Sequence, residues 1–529
     1  MILYKNCKVI TLNDKCEAAD TIVVENGKIV FAGLERDCPV EFLAKSEQVD
    51  LRGGTVVPGF WESHLHLVDG MRSLLELNLR SCNDYDSFIS KFSEYKAGIQ
   101  PGEYIIGHGW DENRIFSGRF PDRRLLDSIC DTHPIILIRM DGHSLCVNTK
   151  AVELLELNRL EASTEAPFDA DGMPTGMFYE NSAIAIVDRL VKELPDSYIE
   201  RLVLSAQELF VQNGITSIND ICTRYGRYFD IYRRLQKLGK LKLRIVTSPY
   251  GSELESVEEF DARTGEETDR LKIGPPKYFI DGSFGSRTAL LFEDYSDEQG
   301  NSGLQLIERD ELINIIMDNE MLNKPINIHA IGDKAVSIVL DCIEASRSGN
   351  QRDIRSRIEH IQIVKNNDIE RFKALDVTAS FQPVFLYETE LTRSRLGTDR
   401  INSVYRFRSF LDRGVNVVFN SDWPYGGGDM PYKPDNSRYI GFEPLLGMHA
   451  ACCLQMNDCE AVSPMEALSC YTTNAAYVNY MEKELGKITE GCYADFVVLS
   501  NDISECDSNE IVNTKVLMTI INGEIVYCA

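Results

Sequence analysis

No stretch of this 529-residue chain approaches the roughly 20 consecutive apolar residues that a membrane-spanning helix requires. Basic residues are in short supply. The 55 Lys and Arg stand against 82 Asp and Glu, and the resulting charge of -27 repels phosphate backbones and anionic head groups. Neither nucleic acid nor membrane is therefore expected as a partner. The start, MILYKNCKVITLND, lacks the basic stretch and continuous apolar run of a signal peptide and alternates as a strand does. The 15 cysteines are scattered and never spaced as Cys-x-x-Cys, so neither a zinc knuckle nor a disulfide framework is indicated and a cytoplasmic location is expected. Internal repeats and low-complexity tracts are also missing.

What is present suits a large folded chain, with 43% hydrophobic and 26% charged residues. The length accommodates a (β/α)8 barrel, usually of ~250 residues, together with an insertion and an accessory unit. Both ends carry short strand-like runs. Thr21 to Val24 and Lys28 to Phe31 flank the turn Glu25-Asn26-Gly27; Asp495 to Leu499, Val516 to Ile521 and Ile525 to Tyr527 surround a second turn at Asn522-Gly523. Residues 1–54 and 486–529 are expected to build one small β-sandwich domain from both termini.

Residues 55–485 read as α/β, with apolar runs alternating with helical stretches as in a parallel sheet. Eight runs qualify: Thr55 to His66, Thr216 to Asp220, Leu243 to Ser248, Lys277 to Gly282, Pro325 to His329, Arg357 to His360, Thr378 to Gln382, and Val415 to Asp422. A (β/α)8 TIM barrel is the expected architecture. The gap from about 69 to 196 holds its own runs, Tyr104 to Gly107 and Pro134 to Arg139, and reads as an insertion after the first strand. Loops that follow barrel strands gather at the C-terminal face, so this insertion should roof the active site.

Histidine is scarce, with eight in the chain, yet His64 and His66 end the first run, His329 ends PINIH and His360 ends RIEH. Asp422 ends VVFNSD in the same way. Residues two apart on a strand face one side, so His64 and His66 can share a cation. Any one of these histidines could instead be a satisfied core residue, and Asp422 a helix N-cap. Together they make an open nitrogen and oxygen site suited to zinc or a similar divalent metal. Lys277 begins the apolar stretch KYFIDG; burial would favour its neutral amine, which can take up CO2 as a carbamate and bridge two metals. A lysine that reaches solvent or pairs with Asp281 is the alternative.

Three further candidates, Trp110, Asp111 and His143, lie in turn-like parts of the insertion. Trp110 and Asp111 are candidates for the substrate pocket, and His143 for hydrogen bonding to a carbonyl oxygen or the oxyanion that develops from it. Packing of the insertion on the barrel is the competing role. Arg287, in GSRTA, could hold a substrate carboxylate or pair with an acidic loop.

Motifs extend along nearly the whole chain: VVPGFWESHLHL, HGWDENRI, DGHSLCVN, GMPTGMFYEN, KYFIDGSFGSRTALL, INIHAIGDKAV, RIEHIQ, SFQP, NSDWPYG, LSCYTTNAAYVN and GKITEGCYADFVVLS. In these motifs and their order the sequence resembles the amidohydrolase superfamily and, within it, the YtcJ-like amidohydrolase 3 family. The resemblance implies one metal on His64 and His66, a second on His329 and His360, a carboxylated Lys277 between them, and Asp422 as ligand and proton carrier. One or two ions are compatible with this pattern. Cys146 departs from it, standing in DGHS-x-Cys where an aromatic residue is frequent, which puts in doubt any substrate carried over from a relative.

The expected activity is hydrolysis of a non-peptide, amide-like C–N bond in a small molecule by metal-bound hydroxide, with Asp422 and His143 as catalytic groups. A metal-assisted isomerase or decarboxylase, or a catalytically silent regulatory or binding protein, are the alternatives on the same scaffold. Base rates favour a homodimer.

Overall fold

The computed structural model describes residues 1–529 except 14–17, 100–101, 224–225, 255–266, 348–352, 427–429, 432 and 434–438. The run Thr55 to His66, expected as one strand, is two. Gly59 N–H donates to Asp495 O, whereas Phe60 N–H donates to Gly214 O, so the chain changes sheets within one residue. A Cβ at Gly59 would lie 2.3 Å from Thr216 Oγ1, a close approach that glycine permits. Thr55–Pro58 pairs with the terminal strand Phe496–Leu499, beyond the boundary expected at residue 54.

Eight parallel strands follow one another along the chain: β1 (Phe60–Leu65), β2 (Ile215–Thr223), β3 (Arg244–Pro249), β4 (Lys277–Phe279), β5 (Asn327–Ala330), β6 (Arg357–His360), β7 (Thr378–Phe381) and β8 (Val417–Phe419). Parallel ladders join β1 to β2 to β3, and β4 through β8 in order. Leu271–Ile273 adds a further parallel strand beside β3, and single parallel bridges connect the two sets, Tyr250 with Lys277 and Leu65 with Trp423. The strands are short and largely buried on both faces, which suits a sheet covered by helices. The helix Asp333–Ser346 between β5 and β6 shows how the cover forms. Its Val336, Val339, Leu340 and Ile343 recur at helical spacing and enter the main core.

The segment between β1 and β2 builds a five-stranded sheet in the order Met177–Tyr179, Ser144–Val147, Ile135–Arg139, Ile105–Trp110, Leu77–Asn78. Side chains of Ile135–Arg139 alternate between two cores. Ile135 and Leu137 pack with Phe88 and Trp110, and Ile136 and Ile138 with Val147 and Phe178.

The chain ends form two further sheets. Ile2–Lys5, Thr21–Glu25, Lys28–Gly33 and Glu47–Asp50 make one; Lys8–Val9, Thr55–Pro58, Phe496–Leu499, Val516–Ile521 and Glu524–Cys528 make the other. Both contribute to one core, with Tyr4, Ile22 and Ile29 from the first sheet and Val56, Phe496 and Ile520 from the second. The two Asn-Gly hairpins have left-handed central residues, with φ of 51° and 77° at Asn26 and Gly27 and of 52° and 76° at Asn522 and Gly523. Among the described residues no helix is long and apolar enough to cross a membrane.

Candidate metal centre

His64 lies in β1 and His66 just beyond it; His329 lies in β5, His360 ends β6, and Asp422 follows β8 by three residues. With Lys277 of β4, these residues line one cavity of about 60 Å³. Ring centroids are 5.5 Å apart for His64 and His66, 5.2 Å for His64 and His360, and 4.5 Å for His329 and His360. Asp422 Oδ1 sits 3.2 Å from Nε2 of both His64 and His66. Potential ligand atoms of these three residues lie within 4.8 Å of one another. His360 and Asp422 both adopt left-handed backbone, with φ of 79° and 55°, a strained conformation that the surrounding structure must hold in place.

Three imidazoles have one nitrogen committed. His64 Nδ1–H donates to Glu359 Oε2 at 2.8 Å, His360 Nδ1–H to Gln382 Oε1 at 3.0 Å, and His329 Nε2–H to Gly282 O at 3.0 Å. In His329 and His360 this leaves the other nitrogen to offer a lone pair. His64 Nε2 is buried without a hydrogen bond and stands 3.2 Å from an oxygen of the Asp422 carboxylate. A cation between them would satisfy both, and this donor set fits a divalent metal.

Burial pushes His360 down to about 3 and His329 well below its ordinary value, so both are neutral and able to act as ligands. Burial would raise Asp422, but His64 and His66 beside it hold the carboxyl well below the usual range. Burial lowers Lys277, whose Nζ sits 5.0 Å from the centre of the Phe279 ring. Asp281 is occupied elsewhere, accepting N–H groups of Leu290, Ile331 and Gly332.

A larger cavity, about 540 Å³, opens on the same floor and shares His143, His329, His360, Asp422, Asp141 and Tyr425 with the smaller one. His143 Nδ1–H donates to Glu180 Oε2 at 2.7 Å. Burial alone would lower His143, but Glu180 outweighs it and pushes the imidazole up to about 9. Asp111 lines the larger cavity while capping Asn113 N–H at 2.7 Å.

Trp110 lines neither cavity. It is fully buried in the inserted sheet's core, where its Nε1–H donates to Leu137 O at 2.8 Å, because strand alternation turns it inward. Arg287 is also turned away, toward Asp297 at 3.0 Å and Glu298 at 3.4 Å. Cys146 is buried in Ser144–Val147, and burial pushes its thiol well up, which makes it a poor nucleophile.

The amidohydrolase family model matches residues 47–527. The chain belongs to the amidohydrolase family. This amidohydrolase is 27% identical to YtcJ of Bacillus subtilis (strain 168) over 98% of each chain. It is 25% identical to the N-substituted formamide deformylase of Arthrobacter pascens, over 100% of this chain and 98% of the relative. A metal-dependent hydrolase of Pyrococcus horikoshii OT3 superposes with a TM-score of 0.75 and 28% identity, over 96% of this chain and 98% of the other.

Sequence reasoning missed the residues that orient this amidohydrolase's histidines. Glu359, Gln382 and Glu180 all stand inside quoted motifs, RIEH, SFQP and FYEN, so the signal was a carboxylate or amide beside a candidate ligand. Glu359, however, serves His64, 295 residues away, and not its neighbour His360. Glu62 was missed as well; its Oε1 accepts N–H of His64 at 3.1 Å and of Ser421 at 3.0 Å, tying β1 to the segment that carries Asp422.

Proposed function

We propose that this chain hydrolyses a non-peptide, amide-like C–N bond in a small molecule, with one or two divalent ions, zinc by ligand type, held by His64, His66, Lys277, His329, His360 and Asp422. The observation that carries this reading is that all six residues line one small cavity at the floor of a larger one. Bound metal supplies activation of water and polarisation of a carbonyl oxygen.

The chain's own groups do the rest. Asp422, ionised beside His64 and His66, accepts a proton at its carboxylate and returns it to the leaving nitrogen. His143, held by Glu180 and lining both cavities, donates from Nε2 to the carbonyl oxygen as negative charge develops there. Burial lowers Lys277 and so favours its neutral amine, which can add CO2 with loss of one proton to become an anionic ligand. Asp111 would contact the substrate at the cavity wall.

The parallel ladders and the bridges support a (β/α)8 barrel within the expected 55–485, its first strand starting at Phe60, with the insertion at about 69–196 as its roof. The core shared by the two terminal sheets supports a β-sandwich domain of 1–54 plus 486–529, extended by Thr55–Pro58. Fourteen cysteines without a disulfide among the described residues support a reducing compartment.

The test joins metal analysis with turnover. Protein purified without chelators is assayed by plasma mass spectrometry beside Lys277→Ala, and incubated with N-substituted formamides in 18O-water. Metal-dependent release of formate carrying solvent 18O is expected. A metal-free protein, or turnover that persists after chelation, would overturn the reading.

A further inference from the structure

Gln362 is 6% exposed, and its side-chain amide has no hydrogen-bond partner among the described residues. It lines the larger cavity beside His329, His360 and Asp422. The backbone holds it there. Ile361 N–H donates to Ala330 O at 3.1 Å, and Gln362 O accepts Tyr405 N–H at 3.2 Å. With φ of 79° at His360 and 45° at Ile361, successive side chains part, Ile361 into the core and its two neighbours to the cavity. Its amide atoms are not among those sealed from solvent, so the carboxamide meets the cavity and no described protein group competes for it. Facing a cavity, it is poised for a ligand.

Three other polar side chains of this cavity are engaged. Arg139 is held by Glu112 at 2.9 Å and Asp141 at 2.8 Å, Arg114 donates to Arg80 O at 3.2 Å, and Tyr425 donates to Asp69 at 3.2 Å. Asp111, Glu388 and Glu390 add negative charge to the wall, which opposes a carboxylate-bearing ligand. Phe284, Ile331, Phe385, Tyr387 and Leu391 supply apolar surface.

We infer that Gln362 is a substrate-binding residue that pairs its own C=O and N–H with an uncharged amide, and that the substrate is a neutral N-substituted amide with an apolar substituent and no carboxylate. The inference rests on the hydrolytic reading above and names the substrate class that the same site selects. A primary carboxamide offers one acceptor and two donors in a plane without charge, which matches an amide and rewards neither a carboxylate nor an ammonium group.

The experiment compares N-cyclohexylformamide with the anionic N-formylglycine on the metal-loaded full chain. Wild type is expected to favour the neutral probe by about tenfold or more in kcat/KM. Gln362→Leu should raise KM for that probe by about tenfold, with metal content unchanged and kcat affected far less. Gln362→Glu, isosteric but without the donors, should raise KM likewise and serves if the leucine variant does not fold. An unchanged KM in a fully metallated variant, or a wild-type preference for N-formylglycine, overturns the inference. Calorimetric binding separates it from the hydrolytic reading. Binding of N-cyclohexylformamide that depends on Gln362 but gives no turnover sinks the proposed hydrolysis and keeps this residue's role; no binding to wild type sinks the role.

Discussion

His64 on β1 and His143 in the inserted unit are both largely buried, and both donate Nδ1–H to a buried glutamate, Glu359 at 2.8 Å and Glu180 at 2.7 Å. The third partner differs. Glu359 also receives Arg357, whose Nη2 donates to Oε2 at 3.1 Å and whose Nε lies 2.9 Å from Oε1, so its charge is shared with a fixed cation. Glu180 instead accepts the neutral hydroxyl of Thr288 at 2.6 Å. The unshared Glu180 carboxylate favours the imidazolium, as the rise of His143 to about 9 reflects, whereas the Glu359 carboxylate fixes the orientation of the His64 ring. Under the proposed function one pairing would serve a metal ligand and the other a proton donor, and the residue behind each glutamate is where the two differ.

The largest effect is expected at the acceptor between the two sides. Asp422→Asn should lower kcat by about 10²- to 10⁴-fold, as loss of a general base does, in a protein whose circular dichroism is unchanged. His143→Gln should cost about 10²- to 10³-fold in kcat while metal content by mass spectrometry stays at the wild-type level. Metal loss in that variant would erase the distinction between the two histidines. Glu359→Gln should weaken metal binding by about 10- to 100-fold in a chelator competition, whereas Glu180→Gln should leave it unaltered.

The smallest effect is in pH. His143 carries its proton below about 9 and loses it as pH rises through that value, so activity should fall on the alkaline side there. Glu180→Gln removes the charge that raises the imidazole, and the alkaline limb should move to lower pH. A limb that stays in place would assign that titration to another group.

Much of the candidate site was legible before any coordinates, and His64, His66 and Asp422 do come together. Apolar runs ending in His64, His66, His329, His360 and Asp422 are local patterns, and strand periodicity alone puts a run's last side chains at one end of a sheet. The Asn-Gly turns at Asn26 and Asn522 were legible for the same reason, since backbone sterics confine left-handed pairs to few residue types. Trp110 was not, because an indole in a turn-like motif suits a pocket wall and a core equally well, and only the packing of the inserted sheet decides between them. Arg287 likewise had two acidic neighbours that become partners only when the loop closes.

Sequence by itself determined the order of the strands, the turns and the residue types at the strand ends, because these follow from periodicity and backbone sterics over a few residues. Tertiary structure alone decided that Gly59 marks a change of sheet, that Glu359 serves His64, and that Gln362 faces a cavity. Buried hydrogen bonds join groups hundreds of positions apart, and nothing local to either partner specifies which donor meets which acceptor.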